Sequence, residues 1–182
     1  MRLGLYGGTF DPIHNGHMRV ISSLLNDEIV DRILVIPAGE PRLRDSAPVA
    51  SGAARRAMCQ LAINELPSEL RSKVEVNPIE ILRIGPSYTI DTVEAVAQAY
   101  PDDEIVLIVG SDAAAKLDQW HRVEELLQMV SLEVISRPGM SVEGARDIAA
   151  IDVSATQVRS HTSELIPESV SRYIKENSLY VS

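Results

Sequence analysis

Two of the chain's four histidines, His14 and His17, stand three residues apart with Gly16 between them. They close the stretch Gly7-Gly8-Thr9-Phe10-Asp11-Pro12-Ile13-His14-Asn15-Gly16-His17. An apolar run at residues 3–6 precedes it and predicts a buried strand. Met18, Val20, Ile21, Leu24 and Leu25 follow at helical spacing and predict an amphipathic helix. A glycine pair directly after a strand lets backbone N–H groups come close to a ligand. The helix then offers its N-terminus, where unpaired N–H groups and the dipole favour an anion. On that first turn the two imidazoles share a face, and both can donate hydrogen bonds to phosphate oxygens. That chemistry suits a polyphosphate. A lone histidine near a helix start is more often a cap or a solvated side chain. The H-x-G-H spacing behind a Gly-Gly turn is what sets this pair apart.

Composition narrows the possibilities. A chain of 182 residues, 45% hydrophobic and 24% charged, suits one globular domain over residues 1–182 with a sizeable core. No apolar run approaches the ~20 residues that span a bilayer, and a signal peptide is not expected ahead of the first strand. Cys59, the single cysteine, has no internal disulfide partner and reads as a small buried hydrophobe on a helix. These features predict a cytoplasmic protein with no membrane partner. The net charge of −9 argues against a nucleic-acid surface. It leaves a phosphate ligand open, provided the site supplies local positive charge. A homo-oligomer is compatible with all of this.

The remaining elements must position the histidines and whatever faces them. Residues 30–37 predict a second strand, parallel to the first across the helix. Residues 38–53, rich in Gly, Pro, Ser and Arg, predict a mobile loop that carries Arg42 and Arg44, with Arg55 and Met58 on the helix beyond. Residues 74–76 predict a third strand. Gly85-Pro86-Ser87-Tyr88-Thr89 is a turn and helix entry, with Ser87 or Thr89 as N-cap. A helix N-terminus of that kind can also hold a carboxylate. Residues 104–109, apolar without a break from Ile105 on, predict a central strand buried on both faces. Gly110-Ser111-Asp112 follows at its C-terminal end, where open α/β sheets bind ligands. Asp112 could accept from a ribose diol or simply cap the next helix. Trp120 could be core, but its polar neighbours Asp118, Gln119, His121 and Arg122 suit a rim where an indole stacks on a flat ring. A strand at residues 132–135 leads to Ser136-Arg137, and residues 151–153 predict a last short strand. Ser154 then caps a helix that presents Thr156 and, one turn on, Arg159. Pro167 opens a C-terminal helix with Val170, Tyr173 and Ile174 inward. The β–α alternation predicts an α/β fold: one doubly wound parallel sheet with C-terminal helices.

The run G-G-T-F-D-P-I-H-N-G-H resembles the signature of the H-x-G-H nucleotidylyltransferase superfamily. P-S-Y-T-I-D-T, then G-S-D with W-H some eight residues later, resemble its nicotinate-nucleotide adenylyltransferase branch, and the resemblance spans nearly the whole chain. It implies a Rossmann-like sheet in the order 3-2-1-4-5. It implies that Gly7, Gly8, Thr9, Phe10, His14, His17, Arg137, Ser154, Thr156 and Arg159 bind ATP, with His14 and His17 catalytic. The segment at 154–159 matches the family's second signature, I-S-x-T-x-x-R, from its serine onward. Arg44, Tyr88, Thr89, Gly110, Asp112, Trp120 and His121 are implied to bind the mononucleotide, the tryptophan stacking on the nicotinate ring. Arg44 stands where a lysine is more usual.

No covalent nucleophile with its base is readable. The chemistry implied is direct in-line attack by the phosphate of nicotinate mononucleotide on the α-phosphorus of ATP, giving deamido-NAD and pyrophosphate. Such transfer depends on positioning and charge neutralisation. Mg²⁺ is expected on the ATP phosphates, since no carboxylate cluster marks a protein cage and no residue is assigned as a metal ligand. Siblings that take nicotinamide mononucleotide or phosphopantetheine are the rivals, the Ser-Tyr-Thr and Trp-His segments speaking against the latter. A non-catalytic nucleotide-binding regulator is a further class, against which His14, His17 and Arg159 stand intact.

Overall fold

Alternation of apolar side chains along the strands decides how the sheet is covered. In the computed structural model, which describes residues 1–39, 47–136, 143–161 and 163–181, the chain runs β1 (Arg2–Gly8), α1 (Asn15–Asn26), β2 (Arg32–Pro37), α2 (Gly52–Asn64), α3 (Ser68–Arg71), β3 (Val74–Val76), α4 (Ile79–Leu82) and α5 (Thr89–Ala99). It continues through β4 (Glu104–Gly110), α6 (Ser111–Ala114), a 3-10 turn at Leu117–Gln119, α7 (Val123–Met129), β5 (Ser131–Ile135), α8 (Ala155–Arg159) and α9 (Glu168–Glu176). The strands pair in parallel in the order β3-β2-β1-β4-β5. This is the expected Rossmann-like arrangement.

Ile33 and Val35 of β2, with Val106 and Ile108 of β4, face Ile21 and Leu24 of α1, Met58 and Ile63 of α2 and Val170 of α9. Leu34 and Ile36, with Leu107 and Val109, face Ile90 and Val93 of α5 and Leu126 of α7. The two clusters are the two sides of one sheet, because successive residues of a strand point to opposite faces. Cys59 lies in the first cluster, where burial pushes its thiol well above the ordinary range. Among the described residues no helix is long and apolar enough to cross a membrane.

Local signals explain most boundaries. Ser154 accepts from the Gln157 N–H at 3.2 Å, and the Gln157 side chain returns to the Ser154 N–H at 2.7 Å, so α8 opens with a capping box. Pro167 precedes α9, whose Val170 is fully buried with Tyr173 and Ile174 packed beside it. Three local expectations are corrected. Residues 151–153 form no strand: the β5 edge is met instead by Arg146, which pairs with Ile135. Arg146 donates to the Val134 carbonyl at 2.7 Å and accepts from the Ser136 N–H at 2.9 Å, so the edge is taken. Neither Ser87 nor Thr89 caps α5. Tyr88 occupies that position without a side-chain bond, Thr89 is already helical, and the Ser87 hydroxyl turns inward. Asp112 lies inside α6, whose N-cap is Gly110, so capping is not its part.

Candidate active site

Parallel strands end at one edge of the sheet, and there the ends of β1, β2, β4 and β5 open a cleft of about 1140 Å³. It lies where connections from β1 and β4 diverge to opposite faces, the usual ligand position in such sheets. A volume above the ~300–1,000 Å³ of an ordinary small-molecule site leaves room for two substrates side by side.

One wall is built by the β1–α1 loop. His14 is the N-cap of α1 and His17 lies one turn in; their rings stack with centroids 3.7 Å apart and planes 24° from parallel. The His14 backbone N–H donates to His17 Nδ1 at 3.1 Å. That nitrogen is therefore unprotonated, and the His17 ring carries its donor on Nε2. Phe10 meets His17 edge-on at 4.9 Å and Tyr6 at 5.6 Å. Phe10 itself sits at φ 48°, a left-handed backbone held in place by those contacts. Gly8 is required by the same ring, since a Cβ there would lie 2.8 Å from it. Gly16 packs closely on His14: a Cβ there would stand 3.1 Å from its imidazole and from Val153, so one of them would have to give by a few tenths of an ångström.

Tyr88, Thr89, Gly110, Asp112, Trp120 and His121 also line the cleft, Tyr88 and Trp120 packing on the second core cluster while Tyr6 and Phe10 belong to the first. Tyr88 and His121 stack obliquely, centroids 4.4 Å apart. Trp120 packs half-buried on the second core cluster, its indole Nε1 buried and without a hydrogen-bond partner. Ser154 and Thr156 complete the first wall, together with Gly7, Gly8, Thr9, Phe10, His14 and His17. No Lys or Arg stands among the described residues of the lining. The N-termini of α1 and α5 open onto the cleft and contribute positive potential there.

A family model described as cytidylyltransferase-like matches residues 5–161. The nicotinate-nucleotide adenylyltransferase of Bacillus subtilis is 35% identical over 192 aligned positions, covering 100% of this chain and 99% of the relative. The chain belongs to the nicotinate-nucleotide adenylyltransferase family. Its fold is that of Plasmodium falciparum nicotinic acid mononucleotide adenylyltransferase. The structure of that protein complexed with NaAD superposes with a TM-score of 0.73 at 20% identity, covering 98% of this chain and 97% of that one. The same protein complexed with APC gives 0.69 at 18% identity, covering 98% and 96%.

Within this adenylyltransferase scaffold the arginine of the second signature bonds to the loop of the first. Arg44 and Arg137 lie outside the described residues. Arg159 bonds to two residues of the lining: its Nη1 donates to the Asp11 carbonyl at 2.6 Å and its Nη2 to the Thr156 hydroxyl at 3.2 Å. Arg55 is buried, donating to the carbonyls of Thr9 at 2.8 Å and Ala50 at 3.2 Å. Burial pulls its guanidinium below the ordinary value, opposed by the charge of Asp11.

Two lining residues had gone unread in the sequence. Asp11 is buried, and its carboxylate accepts from the N–H groups of Val49 at 2.7 Å and Ala50 at 3.0 Å and from the Tyr180 hydroxyl at 2.7 Å. Glu80 accepts from the Thr92 hydroxyl at 2.9 Å, and Arg83 donates to that same hydroxyl at 3.2 Å. Burial pushes the Glu80 carboxyl up, against the bonds from Thr92 and the Gly39 N–H and the charges of Arg83 and Arg55. An acid flanked by Ile79 and Ile81, and an Asp wedged between Phe10 and Pro12, were the available signals.

Proposed function

We propose that the protein joins nicotinate mononucleotide and ATP to give deamido-NAD and pyrophosphate, a step of NAD biosynthesis in the cytoplasm. The observation that carries this reading is the stacked His14–His17 pair in a cleft of about 1140 Å³ that Tyr88, Thr89 and Trp120 also line. The full-length likeness to a nicotinate-nucleotide adenylyltransferase supports the choice of acceptor.

In this reading the ATP tail lies against Gly7, Gly8, Thr9, Phe10, Ser154 and Thr156, with Arg137 and Arg159 nearby in the chain. The mononucleotide lies against Tyr88, Thr89, Gly110, Asp112 and His121, its pyridine ring on Trp120, and Arg44 is assigned to the same ligand from the sequence alone. A phosphate oxygen of the mononucleotide forms a bond to the α-phosphorus of ATP as the α–β bridging bond breaks. Pyrophosphate carries away the electron pair. His14 and His17 donate to the oxygens on which charge develops, His17 through Nε2. No proton need be abstracted from the nucleophile, which is already an anion, so the side chains act by holding, aligning and neutralising.

Nucleotidyltransferases of this kind generally use a divalent metal. Among the described residues no group of three or more His, Cys, Asp or Glu is placed to hold one. For that metal we propose Mg²⁺ held mainly by triphosphate oxygens and water, which would supply charge neutralisation on the phosphates.

Steady-state pyrophosphate release with ATP and each acceptor tests the reading. The expected result is the highest kcat/KM with nicotinate mononucleotide. Preference for nicotinamide mononucleotide or phosphopantetheine would reassign the acceptor, and slow release with every acceptor would leave a nucleotide-binding regulator.

A further inference from the structure

The C-terminal tail reaches back to the catalytic loop. After α9 the chain turns twice through left-handed backbone, at Ser178 (φ 49°) and Tyr180 (φ 59°), a conformation L-residues keep only where surrounding contacts hold it. The Leu179 N–H donates to the Ile174 carbonyl at 3.0 Å, and Leu179 and Tyr180 both pack against the first core cluster. The result is a half-buried phenol whose hydroxyl stands 2.7 Å from Asp11 Oδ1, across 169 residues of sequence.

Asp11 is the joint at which this matters. It lies three residues before His14, in the loop that carries both imidazoles. Its carboxylate ties that loop to Val49 and Ala50 ahead of α2, its carbonyl ties it to Arg159 of α8, and the phenol adds the C-terminus. We propose that Tyr180 is a positioning residue for the reaction: through Asp11 it fixes the loop that aims His14 and His17 at the triphosphate. This rests on the reaction proposed above. Burial, the bond to Asp11 and the Asp11 charge all push the phenol above its ordinary value, so it stays a donor throughout the neutral range. Two backbone N–H groups and Arg159 still meet Asp11 once the hydroxyl is removed, so the loop loosens without the fold being lost.

The test compares Tyr180→Phe with Leu179→Ala, which removes apolar packing of the same tail but no bond to Asp11. Tyr180→Phe is expected to lower kcat up to about tenfold, the scale of one hydrogen bond, with the KM for nicotinate mononucleotide within about twofold of the parent. Leu179→Ala is expected to lower Tm and leave kcat alone. Adding Tyr180→Phe to Asp11→Asn should lower kcat no further than Asp11→Asn does by itself, since the phenol acts through that carboxylate. Imidazole ¹⁵N shifts of His14 and His17 give a readout independent of turnover and should move in Tyr180→Phe. Unchanged kcat and unchanged shifts, or an equal kcat loss in Leu179→Ala, overturns the proposal, as do multiplying losses in the double variant. Moved shifts in a protein that turns over no acceptor would instead overturn the assigned reaction and leave the positioning of the loop by Tyr180 standing.

Discussion

The main-chain N–H of His14 spends its hydrogen bond on the side chain of His17, 3.1 Å away. A helix N-cap residue thus fixes the tautomer of the residue one turn later, and the His17 donor is assigned to Nε2 before any ligand arrives.

If His17 serves the proposed reaction as that donor, His17→Ala removes a hydrogen bond that strengthens as charge develops. The expected loss in kcat is on the order of 10²–10³, or about 3–4 kcal/mol. Single-turnover rates and circular dichroism check it together, with a parent-like spectrum and an unaltered rate as the contrary result.

Gly16→Ala should separate stability from activity. At the second helical position of α1 an alanine is favourable by about 0.4–1 kcal/mol through the unfolded chain. Yet its Cβ would stand 3.1 Å from the His14 ring, and the ring or Val153 must give way. The expectation is a Tm equal to or above the parent's with kcat reduced, approaching 10² if the imidazole moves by about 1 Å. Thermal melts and steady-state kinetics on one preparation decide it.

Arg55→Met should act on folding first. The side chain is buried, and its loss leaves the carbonyls of Thr9 and Ala50 without their donor beside a buried Asp11 carboxylate. Leaving buried polar groups unpaired at roughly 1–3 kcal/mol each predicts a loss of about 2–5 kcal/mol in urea unfolding. Arg55→Lys keeps the charge but not the planar fork, and should recover only part of it.

Glu80 gives a pH signature. Its carboxyl is raised in the fold above the ordinary 4.5, so the folded state binds more protons than the unfolded chain between those two values. Stability from this group is present in full below the unfolded value and is lost as pH rises through the folded one. Glu80→Gln cannot ionise, so its Tm should fall less than the parent's as pH is raised from about 4.5 toward neutrality. Parallel Tm–pH curves for the two proteins would contradict the assignment.

Most strands were legible from their apolar runs, and β1–β2, β2–β3 and β4–β5 pair across a single crossover, whereas the β1–β4 pairing spans two further strands and was implied only by the resemblance. The capping box of α8 and the entry of α9 were legible because caps are local chemistry. Residues 151–153 misled for the same reason: Ile-Asp-Val has strand character, but whether it pairs depends on a vacant edge, and Arg146 had taken the one at Ile135. Ser87 misled because a serine ahead of a helix reads as a cap, whereas here its hydroxyl is drawn inward.

By itself the sequence determined the α/β class, the strand-loop-helix that carries His14 and His17, and the segments that meet them at the strand ends. All of these follow from spacing along the chain, which a linear text preserves. Only the tertiary structure decided that Arg159 braces Asp11, that Arg55 holds Thr9 and Ala50, and that Tyr180 reaches the loop at all. A charged or hydroxyl side chain finds its partner by proximity in space. The partners of Asp11 lie 38, 39, 148 and 169 residues away, where no local propensity points.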